Sequence, residues 1–210
     1  MTLAVGRAFK VRRMNRWGIA MLMTVVVSAV PVVANASPQY AFPIKGCPVT
    51  FTRYHHNYPA TDILAERGCA FVAPTSGIID EINRIDRFSW STNRGADRGG
   101  KMISMVGDDG VRYYGSHLQS IPASVKVGDR VSVGELIGRV GTTGDAGGTA
   151  PHLHFGISWP TKADIWWVRR GELNPFDYIT AWKSGKNISP AKSVAKLRAK
   201  LGDIPKQSGY

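Results

Sequence analysis

Residues 150–155 have the sequence Ala-Pro-His-Leu-His-Phe, in which a single leucine separates two histidines. Successive side chains of a β-strand point to opposite faces, so a strand here places His152 and His154 on one face and Leu153 and Phe155 on the other. The alternation predicts a half-buried strand whose two apolar side chains enter the core. The imidazoles are then available to a metal ion or a substrate, and hydrogen-bonded structural histidines are the alternative for an isolated His-x-His pair.

The residues before this stretch also have the pattern of short strands. Between residues 60 and 158, short apolar runs alternate with glycine-containing turns, and no amphipathic helix of useful length is evident. Residues 107–110 (Gly-Asp-Asp-Gly) separate two apolar runs, which predicts a β-hairpin. The sequence therefore predicts an all-β domain, a small antiparallel sheet or barrel-sandwich-like structure, preceded by an extended lead-in at residues 37–50.

Three segments do not fit the strand pattern. Residues 84–100 are polar and glycine-rich, and they predict a surface loop that either walls a binding groove or is a plain insertion. Residues 174–176 (Asn-Pro-Phe) predict the start of a short helix that packs on the sheet. Residues 183–210 are basic and poor in large apolar side chains, so we expect a flexible, solvated tail, with a weakly amphipathic helix at residues 190–201 as the alternative.

The net charge of +12 is concentrated at the two ends of the chain. Residues 1–36 contain five basic residues and no acid, and residues 183–210 contain seven basic residues and one acid, which leaves +1 for residues 37–182. A folded body this close to neutral lacks the basic face that follows nucleic-acid phosphates. We therefore expect no nucleic-acid partner.

The N-terminal residues have the order of a secretory signal peptide. A basic stretch ends at Arg16, an apolar run covers residues 17–34, and Ala34-Asn35-Ala36 forms a small-x-small cleavage site. We predict a signal peptide at residues 1–36, an exported domain at residues 37–182 and a basic tail at residues 183–210. The apolar run also suits an uncleaved anchor, and the membrane would then be contacted by this segment alone.

The chain has two cysteines, Cys47 and Cys69. Two cysteines in an exported chain predict a disulfide between them, and two unpaired cysteines are the alternative. Neither a C-x-x-C spacing nor a third cysteine is present, which argues against a cysteine-ligated zinc site.

Candidate metal ligands lie on both sides of the predicted hairpin. Asp62 opens an apolar run, His55 and His56 precede it by a few residues, and His117 follows a predicted strand. A carboxylate with a nearby histidine, together with a histidine from the distant His-x-His strand, forms a three-ligand set. Two imidazoles and one carboxylate suit zinc and leave a fourth position open, as in catalytic rather than structural zinc sites.

These motifs together resemble the lysostaphin/LytM-type zinc metallopeptidases. The resemblance covers about residues 50–158 and lies in a histidine shortly before Asp62, in the glycine-rich run at residues 127–144 and in residues 150–155. It implies that His56, Asp62 and His154 bind one zinc ion per chain. It also implies that His117 and His152 lie unligated beside the catalytic water.

One departure from that family concerns the first ligand. The family usually has three residues between the first histidine and the aspartate, whereas five follow His56 here and six follow His55. We select His56 because it requires the smaller bulge, and His55 then lies nearby or on the groove wall.

The resemblance implies a zinc metalloendopeptidase. With the predicted signal peptide, we expect a monomeric, exported protein that is secreted, periplasmic or associated with the cell wall. Its expected substrate is the peptide part of bacterial peptidoglycan. Two other functions stay open: a non-catalytic wall-binding regulator of another hydrolase, and a zinc peptidase that acts on a protein. Because the sequence has no H-E-x-x-H glutamate, a histidine must manage the protons. Which of His117 and His152 is the general base is left open.

Overall fold

A computed structural model describes residue 2, residues 39–56 and residues 58–207. Its strands are β1 (Ile44–Lys45), β2 (Thr50–Phe51), β3 (Thr61–Leu64), β4 (Ala70–Val72), β5 (Gly77–Asn83), β6 (Met102–Gly107), β7 (Arg112–Ser116), β8 (Leu118–Ser120), β9 (Arg130–Val131), β10 (Leu136–Val140) and β11 (His152–Ser158). Its helices are α1 (Trp166–Arg170), α2 (Phe176–Lys183) and α3 (Ala191–Leu201), with 3-10 turns at Gly95–Asp97 and Gly144–Ala146.

Two antiparallel sheets form the body of the molecule. The larger has seven strands in the order β2-β3-β11-β7-β6-β5-β9, and the smaller has four in the order β1-β4-β10-β8. The strands β6 and β7 pair directly across residues 107–110, as the hairpin pattern predicts. The all-β class expected from the sequence is therefore confirmed, as sheets and not as a closed barrel.

The core lies between the two sheets. Leu153 and Phe155 are fully buried, as the alternation in β11 predicts. Phe71 of the smaller sheet packs against Gly115 of the larger one, where an added Cβ would lie 2.3 Å from the Phe71 ring. A glycine is therefore needed at this point in β7 for the sheets to approach each other closely.

Cys47 and Cys69 form the predicted disulfide, which joins two positions 22 residues apart in sequence. Cys69 is buried and precedes β4, whereas Cys47 follows β1. The cross-link closes the segment that carries the candidate ligands His55, His56 and Asp62. It therefore limits the freedom of that segment in the unfolded chain.

The C-terminal residues differ from the solvated tail expected from their composition. The predicted short helix is present as α2, but α3 follows it and buries Val194. Trp159, Trp167 and Trp182 each donate an indole N–H to a backbone carbonyl of this region, at residues 203, 205 and 188. Buried and half-buried indole N–H groups need such acceptors, so the tail is fixed to the domain by the carbonyls it provides.

The predicted signal peptide, at residues 1–36, lies outside the described residues except for residue 2. Within the described part of the chain, none of the helices has the length and apolar character that a membrane crossing requires.

Candidate metal centre and active site

The strand β11 lies between β3 and β7, and this position brings the His-x-His pair to Asp62. In the register of the sheet, His154 is opposite Asp62 on one side and Ser116 on the other. His154 Nδ1 lies 2.9 Å from Asp62 Oδ1, and His152 Nε2 lies 4.0 Å from the same oxygen. The two imidazoles therefore share one face, as predicted from the strand periodicity.

The histidine that joins Asp62 and His154 is His55, not His56. His55 Nε2 lies 3.7 Å from Asp62 Oδ1, and the ligand atoms of His55, Asp62 and His154 all lie within 4.8 Å of one another. His56 is exposed, although it lines the same cavity. The choice of His56 assumed the smaller bulge. The backbone instead turns so that the Tyr58 carbonyl accepts a hydrogen bond from His55 Nδ1 at 3.0 Å, which directs Nε2 inward.

Backbone carbonyls orient three of the imidazoles through their Nδ1 atoms. The acceptors are the carbonyls of Tyr58 for His55, Thr143 for His117 and Ala150 for His152, at 2.8–3.0 Å. A carbonyl only accepts hydrogen bonds, so each neutral ring must carry its proton on Nδ1 and present an Nε2 lone pair. Three Nε2 lone pairs are therefore available in the cavity to bind a metal ion or to accept a proton.

His154 has the opposite arrangement. Its Nδ1 faces Asp62, and its Nε2 lies 2.9 Å from the Tyr58 hydroxyl. Without a metal ion, Nδ1–H donates to the Asp62 carboxylate and Nε2 accepts from the Tyr58 hydroxyl. A metal ion that replaced the proton on Nδ1 would leave Nε2–H to donate to the same hydroxyl. Tyr58 thus orients two candidate ligands, His55 through its carbonyl and His154 through its side chain. Sequence reasoning missed this residue, because its role depends on the path of the loop before Asp62.

Burial and charge set the protonation states of the site. Burial lowers the pKa of His55 to about 4 and that of His117 to about 3, and the nearby His154 contributes in the same direction. Burial alone would raise the pKa of Asp62, but hydrogen bonding and charge at His154 hold this pKa well below its ordinary value. At neutral pH the site therefore has neutral His55 and His117 beside an ionised Asp62.

His117 lies at the point where the chain leaves β7 for β8. Its φ of 62° is in the left-handed region, which a residue with a Cβ rarely occupies. Its backbone N–H donates to the Gly99 carbonyl at 3.0 Å, and its ring is buried. The loop at residues 84–100 thus holds His117 in place, with Nε2 3.9 Å from Asp145 Oδ1.

All five histidines line one cavity of about 250 Å³. The loop at residues 84–100 contributes Arg98 and Gly99 to its wall, which supports the groove-wall interpretation of this loop. Asp145 and Arg170 also line the cavity, and sequence reasoning missed both. The adjacent Arg169-Arg170 pair after two tryptophans was the available signal for Arg170, but only the fold brings it to the histidines.

The donor set fits a zinc ion. Zinc takes His nitrogen and carboxylate oxygen at about 2.0–2.2 Å, so two of its ligand atoms lie at most about 4.4 Å apart. The distances of 2.9 Å and 3.7 Å from Asp62 Oδ1 to the two imidazole nitrogens meet this limit, and all three ligand atoms lie within 4.8 Å of one another, a little above it. In each ring, the nitrogen that does not face the metal position makes a hydrogen bond: His55 Nδ1 with the Tyr58 carbonyl and His154 Nε2 with the Tyr58 hydroxyl. Zinc-binding histidines have the same arrangement.

Comparison with known proteins identifies the family of the chain. Residues 56–165 match the model of peptidase family M23, a range that contains Asp62, His117, His152 and His154 and begins directly after His55. Over 83 residues, or 39% of the chain, it is 46% identical to the glycyl-glycine endopeptidase ALE-1 of Staphylococcus capitis. Over 131 residues, or 60% of the chain, it is 27% identical to the L-Ala--D-Glu endopeptidase of Bacillus subtilis strain 168.

These matches cover 20% and 35% of the two relatives, so the chain corresponds to part of each. Among solved structures, lysostaphin from Staphylococcus simulans aligns with a TM-score of 0.51 at 24% identity, over 74% of this chain and 59% of that one. That likeness concerns the fold. Because the family model matches more than half of the 210 residues, the chain belongs to peptidase family M23.

Proposed function

We propose that this protein is an exported zinc metalloendopeptidase that hydrolyses peptide bonds of bacterial cell-wall peptidoglycan. One observation carries the proposal: two imidazole nitrogens and a carboxylate oxygen converge within 4.8 Å, in a cavity that also contains two further histidines. Two relatives are named as endopeptidases of glycyl-glycine and of L-Ala--D-Glu bonds. Both kinds of bond are candidates for this chain.

In this proposal His55, Asp62 and His154 would hold the zinc ion. A bound ion would lower the pKa of a water molecule toward about 7 and would polarise the scissile carbonyl. Asp62 supplies the one negative charge of the set, and the low pKa of its carboxyl keeps that charge over the working pH range. His56 is then a residue of the groove wall.

His117 and His152 act on the proton and on the oxyanion. Each presents an Nε2 lone pair, so either ring accepts the proton that the attacking water loses. The ring that has gained the proton becomes a donor to the developing oxyanion or to the leaving amine. Their ring centroids lie 4.9 Å apart, close enough for both to serve one scissile bond.

Digestion of purified peptidoglycan tests the proposal. The zinc-loaded protein should release new amino termini and fragments that mass spectrometry assigns to a cut peptide bond. His154→Ala and the chelated wild type should release none. Ile188→Ala, a truncation to alanine at an exposed position outside the site, is the control and should cleave like the wild type. Absence of cleavage by folded, zinc-loaded protein would contradict the proposal and favour a protein substrate or a regulatory role.

A further inference from the structure

Arg170 ends helix α1 and lines the cavity that holds the histidines. The residue is only 5% exposed. Its guanidinium carbon lies 4.9 Å from the centre of the Trp166 ring, but no described residue forms a hydrogen bond or an ion pair with this guanidinium. The guanidinium nitrogens are not among the fully buried polar atoms that lack a partner, so they are open to the cavity, where an anion can replace water.

The neighbouring Arg169, unlike Arg170, forms ion pairs with two carboxylates. Arg169 contacts Asp80 Oδ2 at 2.9 Å and Glu81 Oε2 at 2.8 Å, and buried Arg112 contacts the same two acids at 2.7 and 2.6 Å. Both carboxylates are therefore already shared between two guanidinium groups. Neither is available to Arg170, which points instead to the cavity.

The backbone of Arg170 is fixed, so its side chain cannot leave the cavity by a movement of the helix. The Arg170 carbonyl lies against Gly156 of β11, where an added Cβ would be 1.7 Å from the oxygen. At the other end of α1, the Trp166 ring packs on Gly95, where an added Cβ would be 2.3 Å from the ring. The backbone that carries the guanidinium is therefore preorganised for ligand binding.

Asp145 is the acid that shares this cavity wall, and it does not neutralise Arg170. No ion pair joins the two residues within the described part of the chain, and Asp145 Oδ1 lies 3.9 Å from His117 Nε2. Burial raises the pKa of Asp145, although Arg170 and Arg98 act in the opposite direction. Within the described residues Asp145 and Arg170 therefore form no ion pair with each other, and the guanidinium is available to another anion.

We propose that Arg170 binds a free carboxylate of the peptide substrate, on a residue close to the scissile bond. A planar guanidinium binds a carboxylate through two parallel hydrogen bonds, and burial strengthens them. The substrate class is then an acidic peptide with a side-chain or α-carboxylate beside the cut bond, in preference to a neutral glycine chain. This inference rests on the proposed peptidase activity. Arg170 lies beyond the residues 56–165 that match the family.

The test uses two synthetic wall peptides that differ in one group. Both contain L-alanyl-γ-D-glutamyl-lysyl-D-alanine; the glutamyl α-carboxylate is free in one and is a carboxamide in the other. Pentaglycine is the neutral reference. The zinc-loaded full chain should cleave the acid peptide with a kcat/KM about ten- to a hundredfold above that of the amide, as expected for a charge-assisted pair. Arg170→Gln should lower this ratio to near one, and Arg170→Lys should retain part of it.

Arg169→Gln is the matched control, since it removes a buried guanidinium from the same helix but on the side of Asp80 and Glu81. It should lower the unfolding temperature and leave the acid-to-amide ratio unchanged. Equal cleavage of both peptides by the wild type, or faster cleavage of pentaglycine, would overturn the role of Arg170 and leave the peptidase proposal intact. No cleavage of any of the three would contradict both proposals. The wild-type comparison stands even where a variant fails to fold.

Discussion

Replacement of His55 by alanine is the perturbation that separates the two candidates for the first zinc ligand. His55 has a side chain that is 9% exposed, and its Nε2 lies 3.7 Å from Asp62 Oδ1, whereas His56 is exposed to solvent. Structural zinc sites with four protein ligands bind with about 10–16 kcal/mol, so one ligand contributes about 3–4 kcal/mol. His55→Ala should therefore raise the Kd for zinc by about a hundred- to a thousandfold.

The assay is an equilibrium competition for zinc against a chromophoric chelator at pH 7.5. His56→Ala is the matched control, because it makes the same chemical change at the adjacent residue, and it should change the Kd by less than about threefold. Thermal unfolding of both apo variants shows whether the loss of the His55 hydrogen bond to the Tyr58 carbonyl alters the fold. A larger loss of zinc affinity in His56→Ala than in His55→Ala would refute the placement of the first ligand at His55.

Three further predictions concern the Tyr58 hydroxyl, the Glu172 carboxyl and the disulfide. Tyr58→Phe removes the hydroxyl that lies 2.9 Å from His154 Nε2, and the Kd for zinc should rise about tenfold in the same competition assay; an unchanged Kd would contradict the positioning role. Burial raises the pKa of Glu172 to about 7, so folding favours its protonated carboxyl. The free energy of unfolding therefore has this contribution in full below about pH 4.5 and loses it as the pH rises through 7. A fully buried group would lose about 3.4 kcal/mol over that range, and partial exposure reduces this to about 1–2 kcal/mol. Urea unfolding at pH 4.5 and 8 should show that Glu172→Gln removes this part of the pH dependence, and an identical dependence in the variant would refute it. Replacing Cys47 and Cys69 by alanine opens a loop with a separation of 22 residues and should cost about 3 kcal/mol in urea unfolding, whereas a loss below about 1 kcal/mol would contradict the chain-entropy estimate.

The sequence predicted those features that depend on local periodicity. The alternation of residues 152–155 indicated which side chains face the core and which face the cavity, because strand geometry leaves only two faces. The Gly-Asp-Asp-Gly turn predicted the pairing of β6 with β7 in the same way. The two cysteines predicted the disulfide because each had a single partner available.

Features that depend on the path of a loop or on distant partners were not predictable. The choice between His55 and His56 required the backbone turn that brings the Tyr58 carbonyl to His55 Nδ1. The solvated tail was expected because α3 has few apolar residues, but the carbonyls that fix it are supplied to tryptophans far away in sequence. Arg170 reaches the cavity only because β11 and α1 pack at Gly156.

The most direct test of the zinc peptidase account measures hydrolysis of peptidoglycan and bound zinc in the same sample. Zinc is removed by chelation and returned stepwise to the full chain, and new amino termini are quantified at each step. The account predicts no hydrolysis by the apo protein and a linear recovery that saturates at one zinc per chain. Hydrolysis that continues in the zinc-free protein, or full zinc loading without hydrolysis, would contradict it.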